Sequence, residues 1–195
     1  MIKLKSLIVE AVTDSPNFKK WFGNSKVVDN TGNPLVVYHV SKENPSKFKD
    51  EYRTDLSSMG FHFGTKEQAK FRSTQYDFSA GKGSSTIPVY LSIRNPLEVS
   101  HMASFAPDHL AEQMMDLGFI TDDDYGKIRD AHFEDKDVGK QLVVILKKRG
   151  YDGLKYSNER EGEGYSYVPF SSTQIKSAMA NNGNFNSSDA DITKQ

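Results

Sequence analysis

The chain has 195 residues, enough for one domain with a substantial core, and its 25 basic residues nearly balance its 26 acidic ones. This balance provides no overall field that would attract nucleic acid or an anionic membrane. The absence of cysteine excludes disulfides, cysteine-ligated zinc and thiol nucleophiles, and no apolar run approaches the ~20 residues of a membrane span. We therefore expect a soluble, cytoplasmic protein that has no membrane partner and shows no sign of binding nucleic acid.

The first half of the chain alternates short helices and short strands. An N-terminal segment, residues 1–14, precedes a predicted helix over "PNFKKWF" that Asp14 or Ser15 would cap and Gly23 would end. The sequence "LVVYH" predicts a strand that follows a turn, and "GFHFG" predicts a brief strand between two glycines. Thr65 is then placed to cap a helix over "KEQAKFRS".

The second half begins with a strand and continues with helices. In "STIPVYLSIRNPLEV" every second residue from Ile87 to Ile93 is apolar, which is typical of a half-buried strand. Two amphipathic helices are predicted over "APDHLAEQMMDLGF" and "TDDDYGKIRDAHF", and a third begins at Asp137 and is ended by Gly150. The sequences "GLKY" and "GYSYVPF" predict two strands joined by the acidic loop "SNEREGEG".

This mixture of short strands and scattered helices lacks the regular strand–helix alternation of a doubly wound sheet, so it indicates an α+β fold. From about residue 181 onward Asn, Ser and Asp dominate, which predicts a flexible polar tail. We therefore divide the chain into an N-terminal segment (1–14), one domain (15–180) and a tail (181–195).

Two familiar kinds of ligand site are absent from the sequence. The stretch "SAGKGSST" lacks the third glycine of a dinucleotide fingerprint and the Gly-Lys-Ser/Thr ending of a phosphate loop, so we interpret it as a mobile basic surface loop. The stretch "TDDDYG" lacks the later ligands of a calcium loop and is interpreted as carboxylates at a helix start. We therefore expect no metal site.

Three places remain as candidates for chemistry. His39 stands at the carboxyl end of an apolar strand, and His62 lies between two phenylalanines and two glycines. The acidic loop carries three further candidates, Glu159, Glu161 and Glu163. Strand ends next to loops are where sites are commonly built, because a rigid sheet holds side chains that still face solvent. Each place also has a structural interpretation: a boundary histidine, an exposed histidine and a solvated loop.

In chain order, five segments together resemble the ADP-ribosyltransferase-like domains of bacteriophage and prophage proteins, including large polyvalent ones. The segments are "NFKKWFGNSKVVDNTGNPLVVYHVS", "GFHFGTKEQA", "VYLSIRNPLEV", "GYDGLKYSNEREG" and "SYVPFSSTQIKSAMANNGNF". These domains are relatives of the diphtheria-toxin and poly(ADP-ribose) polymerase class. The resemblance implies an α+β fold with two split, bent β-sheets and flanking helices. NAD would lie in the cleft between the sheets, and ADP-ribose would be transferred to a target.

The resemblance also implies roles for individual residues. His39 would hydrogen-bond the adenine-side ribose, and His62 would stack on nicotinamide where the wider class has tyrosine. Val40 stands where relatives have glycine, followed by Ser41, and the backbone there would hold the nicotinamide amide. The NAD-binding residues expected from the resemblance are Tyr38, His39, Val40, Ser41, Phe61, His62 and Phe63.

The acid of the site departs from the pattern of the class. In that class a glutamate precedes the last core strand, but here Ser166 occupies the position, and a hydroxyl cannot stabilise a cation as a carboxylate does. The acid would therefore come from the preceding loop, with Glu161 favoured over Glu159 and Glu163. The catalytic residues that we expect from the resemblance are Glu161, Glu159 and His39.

The resemblance implies an NAD-dependent mono-ADP-ribosyltransferase that a phage uses to modify a host protein or a host defence complex. Two alternatives remain open at this point. The departures at Val40 and Ser166 suit a catalytically silent binding module or inhibitor. A water-accessible acidic loop would suit an NAD glycohydrolase.

Overall fold

A computed structural model describes residues 12–41, 45–48, 59–75, 85–100, 106–134, 136–181 and 183–193. Its α-helices are α1 Pro16–Phe22, α2 Lys66–Gln75, α3 Pro107–Asp116, α4 Asp122–Phe133 and α5 Val138–Lys148. Its β-strands are β1 Val37–Ser41, β2 Ser85–Leu91, β3 Pro96–Val99, β4 Gly153–Ser157, β5 Tyr165–Pro169 and β6 Ile175–Ser177. Most of the predicted N-terminal segment and of the "SAGKGSST" loop lies outside the described residues.

The described strands form two small sheets. One has the order β1-β2-β6, and both of its pairings are antiparallel. The other has the order β3-β4-β5, in which β3 and β4 are parallel while β4 and β5 are antiparallel. Helices α3, α4 and α5 follow one another between β3 and β4. This arrangement confirms the α+β class.

A short segment of backbone connects the two sheets. Gly64 exchanges two hydrogen bonds with Tyr38 of β1, at 2.8 and 3.0 Å, and Phe63 exchanges two with Tyr167 of β5, at 2.9 and 2.7 Å. The predicted strand "GFHFG" is therefore reduced to two isolated bridges. Because Phe63 and Gly64 pair with different sheets, the backbone passes from one sheet to the other. Neither pairing continues into a longer ladder of hydrogen bonds.

The helix signals in the sequence correspond to real caps. The hydroxyl of Ser15, rather than the side chain of Asp14, accepts a hydrogen bond at the start of α1, from the backbone N–H of Phe18 at 3.2 Å. Asp137 caps α5, and the apolar stripe of that helix is buried. The apolar faces of α3, α4 and α5 pack on the β3-β4-β5 sheet. Most of one hydrophobic cluster lies between these helices and the sheet. None of the described helices is long and apolar enough to cross a membrane.

The expectation of a flexible tail needs correction, because residues after 181 pack on the domain. Phe185 is buried with its ring centroid 4.9 Å from that of Phe18, and Ile192 is buried in the cluster beneath the β1-β2-β6 sheet. The buried ammonium of Lys176 donates to the carbonyls of Asp189 and Asp191 at 2.7 and 2.9 Å. Two apolar residues and one buried lysine anchor a segment whose average composition is polar.

Candidate active site

A cleft of about 230 Å³ opens where the two sheets separate. Its walls come from β1, from residues 60–64, from one face of α2, and from Tyr156, Glu161 and Ser166 in and around β4 and β5. The bridging backbone at Phe63 and Gly64 forms part of the wall, so the residues that join the sheets also bring both histidines to one place.

His39 is the central residue of β1, not the strand end that the sequence predicted, and its ring lies in an aromatic cage. The ring centroids of Phe48, Phe61 and Phe63 are 5.1, 5.8 and 5.3 Å from the centroid of the His39 ring. Its Nδ1 lies 2.8 Å from the carbonyl oxygen of His62. A carbonyl only accepts, so Nδ1 carries the proton and donates it. The cage and this bond together fix the plane of the imidazole.

The surroundings keep His39 neutral. Burial is the largest cause that lowers its pKa below the usual value, and the positive charge of Arg72 lowers it further, while the bond to the His62 carbonyl acts in the opposite direction. With the proton on Nδ1, Nε2 carries a lone pair, and no described residue hydrogen-bonds to it. His39 therefore offers a fixed, uncharged acceptor.

A tyrosine of the β3-β4-β5 sheet holds His62 in place. Its Nδ1 lies 2.9 Å from the hydroxyl of Tyr156, a nearly fully buried residue of β4. Burial raises the pKa of the Tyr156 phenol far above its usual range, so this group remains protonated. The ring of His62 is thus fixed at the cleft wall rather than free in solvent.

Glu161 places a carboxylate in the cleft with a partner on each oxygen. Its Oε1 accepts a hydrogen bond from Arg72 Nη1 at 2.8 Å, and its Oε2 accepts one from Asn158 Nδ2 at 3.0 Å. The Glu161 side chain is 11% exposed, against 42% for Arg72. The carboxylate is therefore shielded, and the guanidinium lies on its solvent side.

The other two acids of the loop lie elsewhere. Glu159 and Glu163 are exposed, and neither lines the cleft. Of the three glutamates that the sequence left open, only Glu161 combines low exposure with a position in the wall. The catalytic assignment of any of them remains a prediction.

Ser166 is a buried residue of the cleft wall, and its hydroxyl is engaged in hydrogen bonds to neighbouring side chains. Its hydroxyl donates to Gln68 Oε1 at 3.1 Å and accepts from Asn158 Nδ2 at 3.1 Å. Gln68 in turn donates through Nε2 to carbonyls of the acidic loop, including those of Gly162 and Gly164 at 3.2 and 3.3 Å.

Most of the residues expected to bind NAD meet in this cleft. Those that line it are Tyr38, His39, Val40, Phe61, His62 and Phe63. Ser41 ends β1 opposite Ser85 and does not line it. Across the described residues, no group of three or more potential metal ligands comes together.

Sequence reasoning missed four side chains of the site: Gln68, Arg72, Tyr156 and Asn158. Gln68 and Arg72 are four residues apart on α2, so they share one helix face, and this spacing is visible in the sequence. Their role is not visible, because polar residues at this spacing usually face solvent. Tyr156 and Asn158 carried no comparable signal, since strand tyrosines are commonly core residues.

Such an arrangement can hold a nucleotide-like substrate and stabilise positive charge. A neutral acceptor suits a sugar hydroxyl, and aromatic walls suit a flat heterocycle. A shielded carboxylate stabilises a cation more strongly than one in open water would, because the local dielectric is lower.

A comparison with known protein families gives an independent result. The profile of the family described as ADP-ribosyltransferase in polyvalent proteins matches residues 29–185, which include both histidines, α2, the acidic loop and β5. No curated protein and no solved structure matches the chain significantly. The family match spans most of the chain and the whole described cleft, and on this evidence the chain belongs to the ADP-ribosyltransferases of polyvalent proteins.

Proposed function

We propose that the protein is an NAD-dependent mono-ADP-ribosyltransferase in which Glu161 is the catalytic carboxylate and His39 and His62 hold the dinucleotide. The observation that carries this proposal is the shared cleft: both histidines and one shielded acid line the same space. Family membership supports the transfer of ADP-ribose in general, and the contacts within this chain support the roles of individual residues.

The reaction breaks the bond between C1′ of ribose and the nicotinamide nitrogen. The bonding electron pair leaves with nicotinamide, which loses its positive charge, and positive charge grows on the ribose as an oxocarbenium-like state forms. A nucleophile of the target then attacks C1′ and loses its proton. The protein must therefore hold both ends of the dinucleotide and stabilise a cation between them.

His39 binds a ribose hydroxyl in this scheme. Its Nε2 accepts a hydrogen bond from the hydroxyl, while its Nδ1 already donates one to the carbonyl oxygen of His62 at 2.8 Å. Because burial holds the pKa of His39 below its usual value, the acceptor is present at neutral pH. The rings of Phe48, Phe61 and Phe63 already hold the imidazole in place. Binding of the sugar therefore carries no entropic cost for ordering this side chain.

His62 and Phe61 form the surface on which nicotinamide stacks. The hydrogen bond between His62 Nδ1 and the Tyr156 hydroxyl is 2.9 Å long and fixes the imidazole, so the ring presents one orientation to a flat ligand. The backbone at Val40 holds the carboxamide, and the valine side chain, which is 6% exposed, narrows the pocket. The expected stacking energy is about 0.5–1.5 kcal/mol beyond the area buried.

Glu161 stabilises the developing cation. Arg72 and Asn158 each occupy one carboxylate oxygen, so the group is oriented before substrate arrives and costs no reorganisation during the reaction. Removal of one such preorganised group costs about 10²–10³-fold in kcat where this has been tested in other active sites.

The acceptor is a host protein, and the protein acts in the host cytoplasm as a phage effector, modifying host machinery or a defence complex. The resemblance of the five segments to bacteriophage and prophage domains supports the phage setting, and the nearly balanced charge argues against steering toward nucleic acid or membranes.

The test is incubation with NAD labelled in the adenine half, together with bacterial lysate, followed by intact-mass measurement of the labelled proteins. The expected result is one ADP-ribose on a specific protein, lost in Glu161→Gln and kept in Glu163→Gln. Free ADP-ribose without labelled protein would indicate an NAD glycohydrolase instead. Unchanged NAD would indicate a silent binding module.

A further inference from the structure

A cluster of buried polar side chains lies behind the carboxylate of the cleft. Gln68, Asn158 and Ser166 are 1%, 5% and 2% exposed, yet they come from a helix, a loop and a strand. Burying three polar side chains is unfavourable unless their hydrogen-bonding groups are matched. What they bond to therefore indicates why they are there.

The hydrogen bonds of the cluster have fixed directions. Asn158 Nδ2 has two protons, and it donates to Glu161 Oε2 at 3.0 Å and to Ser166 Oγ at 3.1 Å. Since a carboxylate only accepts, the orientation of the Asn158 amide is determined. Ser166 then donates to Gln68 Oε1 at 3.1 Å. The cluster is one connected network, and its exposed end is the carboxylate.

Gln68 fastens the loop that carries the carboxylate. Its Nε2 lies 3.2, 3.5 and 3.3 Å from the carbonyl oxygens of Gly162, Glu163 and Gly164. Gly162 and Gly164 have φ of +130° and +106°, which other residues rarely adopt, and this backbone turns the carbonyls inward. Because Nε2 has two protons, its two shorter contacts, to the carbonyls of Gly162 and Gly164, are its hydrogen bonds, and they hold the loop on both sides of Glu163.

From this geometry we infer that Gln68, Asn158 and Ser166 are positioning residues that set the place and orientation of Glu161 in the cleft. The inference rests on the proposed function, and it gives Ser166 a role: the residue at the start of the last core strand supports the acid instead of supplying it. A buried network in which each side-chain donor has an acceptor specifies one arrangement of the loop, whereas an apolar core would allow several.

The test compares nicotinamide release from NAD, with bacterial lysate supplying the acceptor, by the wild type and four variants: Asn158→Ala, Asn158→Asp, Gln68→Met and, as a control, Glu163→Gln. Asn158→Ala and Gln68→Met are expected to lower kcat by roughly 10–100-fold, because a displacement of about 1 Å is enough for this, while KM for NAD stays within about threefold. Glu163 contributes only its backbone to the network, so its variant keeps both constants.

Asn158→Asp separates positioning from a purely structural role. It keeps the shape of the residue but places a second carboxylate 3.0 Å from Glu161 Oε2. Two carboxylates in contact disfavour each other's ionisation, so the acid limb of the kcat profile moves to higher pH. A structural role alone leaves that limb in place.

The possible outcomes distinguish the proposed function from the positioning role of Gln68, Asn158 and Ser166. If the wild type releases no nicotinamide, the proposed function fails and this inference fails with it. If the wild type is active but both Asn158 variants keep its kcat and pH profile, only the positioning inference is overturned. Loss of the folded state in both Asn158 variants, seen by circular dichroism, would assign the cluster to folding and also overturn it.

Discussion

Adding one methyl group at Gly64 tests whether the junction between the sheets is as tight as its geometry indicates. A Cβ at this position would lie 2.3 Å from Gln68 Oε1, and 3.2 Å from both Gln68 Cβ and Ser166 Oγ. Ordinary contact distances are about 3.5 Å, so Oε1 would have to move by about 1 Å. Gln68 is only 1% exposed, and both ends of its amide are hydrogen-bonded.

The magnitude follows from what such a movement breaks. Oε1 accepts hydrogen bonds from Thr65 N at 2.9 Å and from Ser166 Oγ at 3.1 Å. Overpacking costs about 1–3 kcal/mol, and leaving a buried group without its partner costs about 1–3 kcal/mol more. We expect Gly64→Ala to lower the free energy of unfolding by about 2–6 kcal/mol.

Gly126→Ala is the matched control. It adds the same methyl group within α4, where nothing lies within 4 Å of the added carbon. Alanine is favoured over glycine in a helix by about 0.8–1 kcal/mol, so this variant should be more stable than the wild type. Urea unfolding followed by circular dichroism measures both changes. Equal free energies of unfolding for the two variants would refute the packing argument.

Three further outcomes are expected. His39→Ala should raise KM for NAD by up to about tenfold with a smaller change in kcat, since a hydrogen bond to a fixed acceptor is worth about 1.5 kcal/mol at most; an unchanged KM would remove His39 from the binding site. Burial lowers the pKa of His39 in the folded state, so the unfolded chain takes up its proton first, and wild-type stability relative to His39→Gln should fall as pH drops below about 6.5; a pH-independent difference in urea unfolding would contradict this. Lys176→Met should destabilise the protein by about 2–3 kcal/mol, because the partly buried carbonyl of Asp189 and the buried carbonyl of Asp191 lose their donor; a change below about 0.5 kcal/mol in the same assay would show that the C-terminal segment does not depend on this lysine.

Local patterns were sufficient for the helices and for most of the strands, but not for "GFHFG", which forms only isolated bridges, nor for "STIPVYLSIRNPLEV", which is divided between β2 and β3 in different sheets. Ser15 and Asp137 cap helices because capping needs only residues within one turn, and such signals are readable from sequence. The alternation from Ile87 to Leu91 marks β2, but the prediction of a half-buried strand was incomplete, because Tyr90 on the opposite face is buried as well and Ile93 lies beyond the strand. The resemblance then supplied the order of the segments and the cleft.

The supporting side chains could not be predicted, because their partners are distant in sequence. Gln68 meets Ser166 across 98 positions, and Arg72 meets Glu161 across 89. A polar residue on a helix gives the same sequence signal whether it faces solvent or a buried loop. The packed C-terminal segment was missed for a related reason, since two apolar residues, Phe185 and Ile192, are too few to change an average composition.

The central claim is that Glu161 is the acid that assists cleavage of the bond between nicotinamide and ribose. The most direct test is the rate of nicotinamide release over a range of NAD concentrations, with bacterial lysate supplying the acceptor, by the wild type, Glu161→Gln and Glu163→Gln. Glu161→Gln should lose about 10²–10³-fold in kcat while KM stays within a few-fold, and Glu163→Gln should match the wild type. Full activity of Glu161→Gln would contradict the claim, as would a loss of the same size in Glu163→Gln.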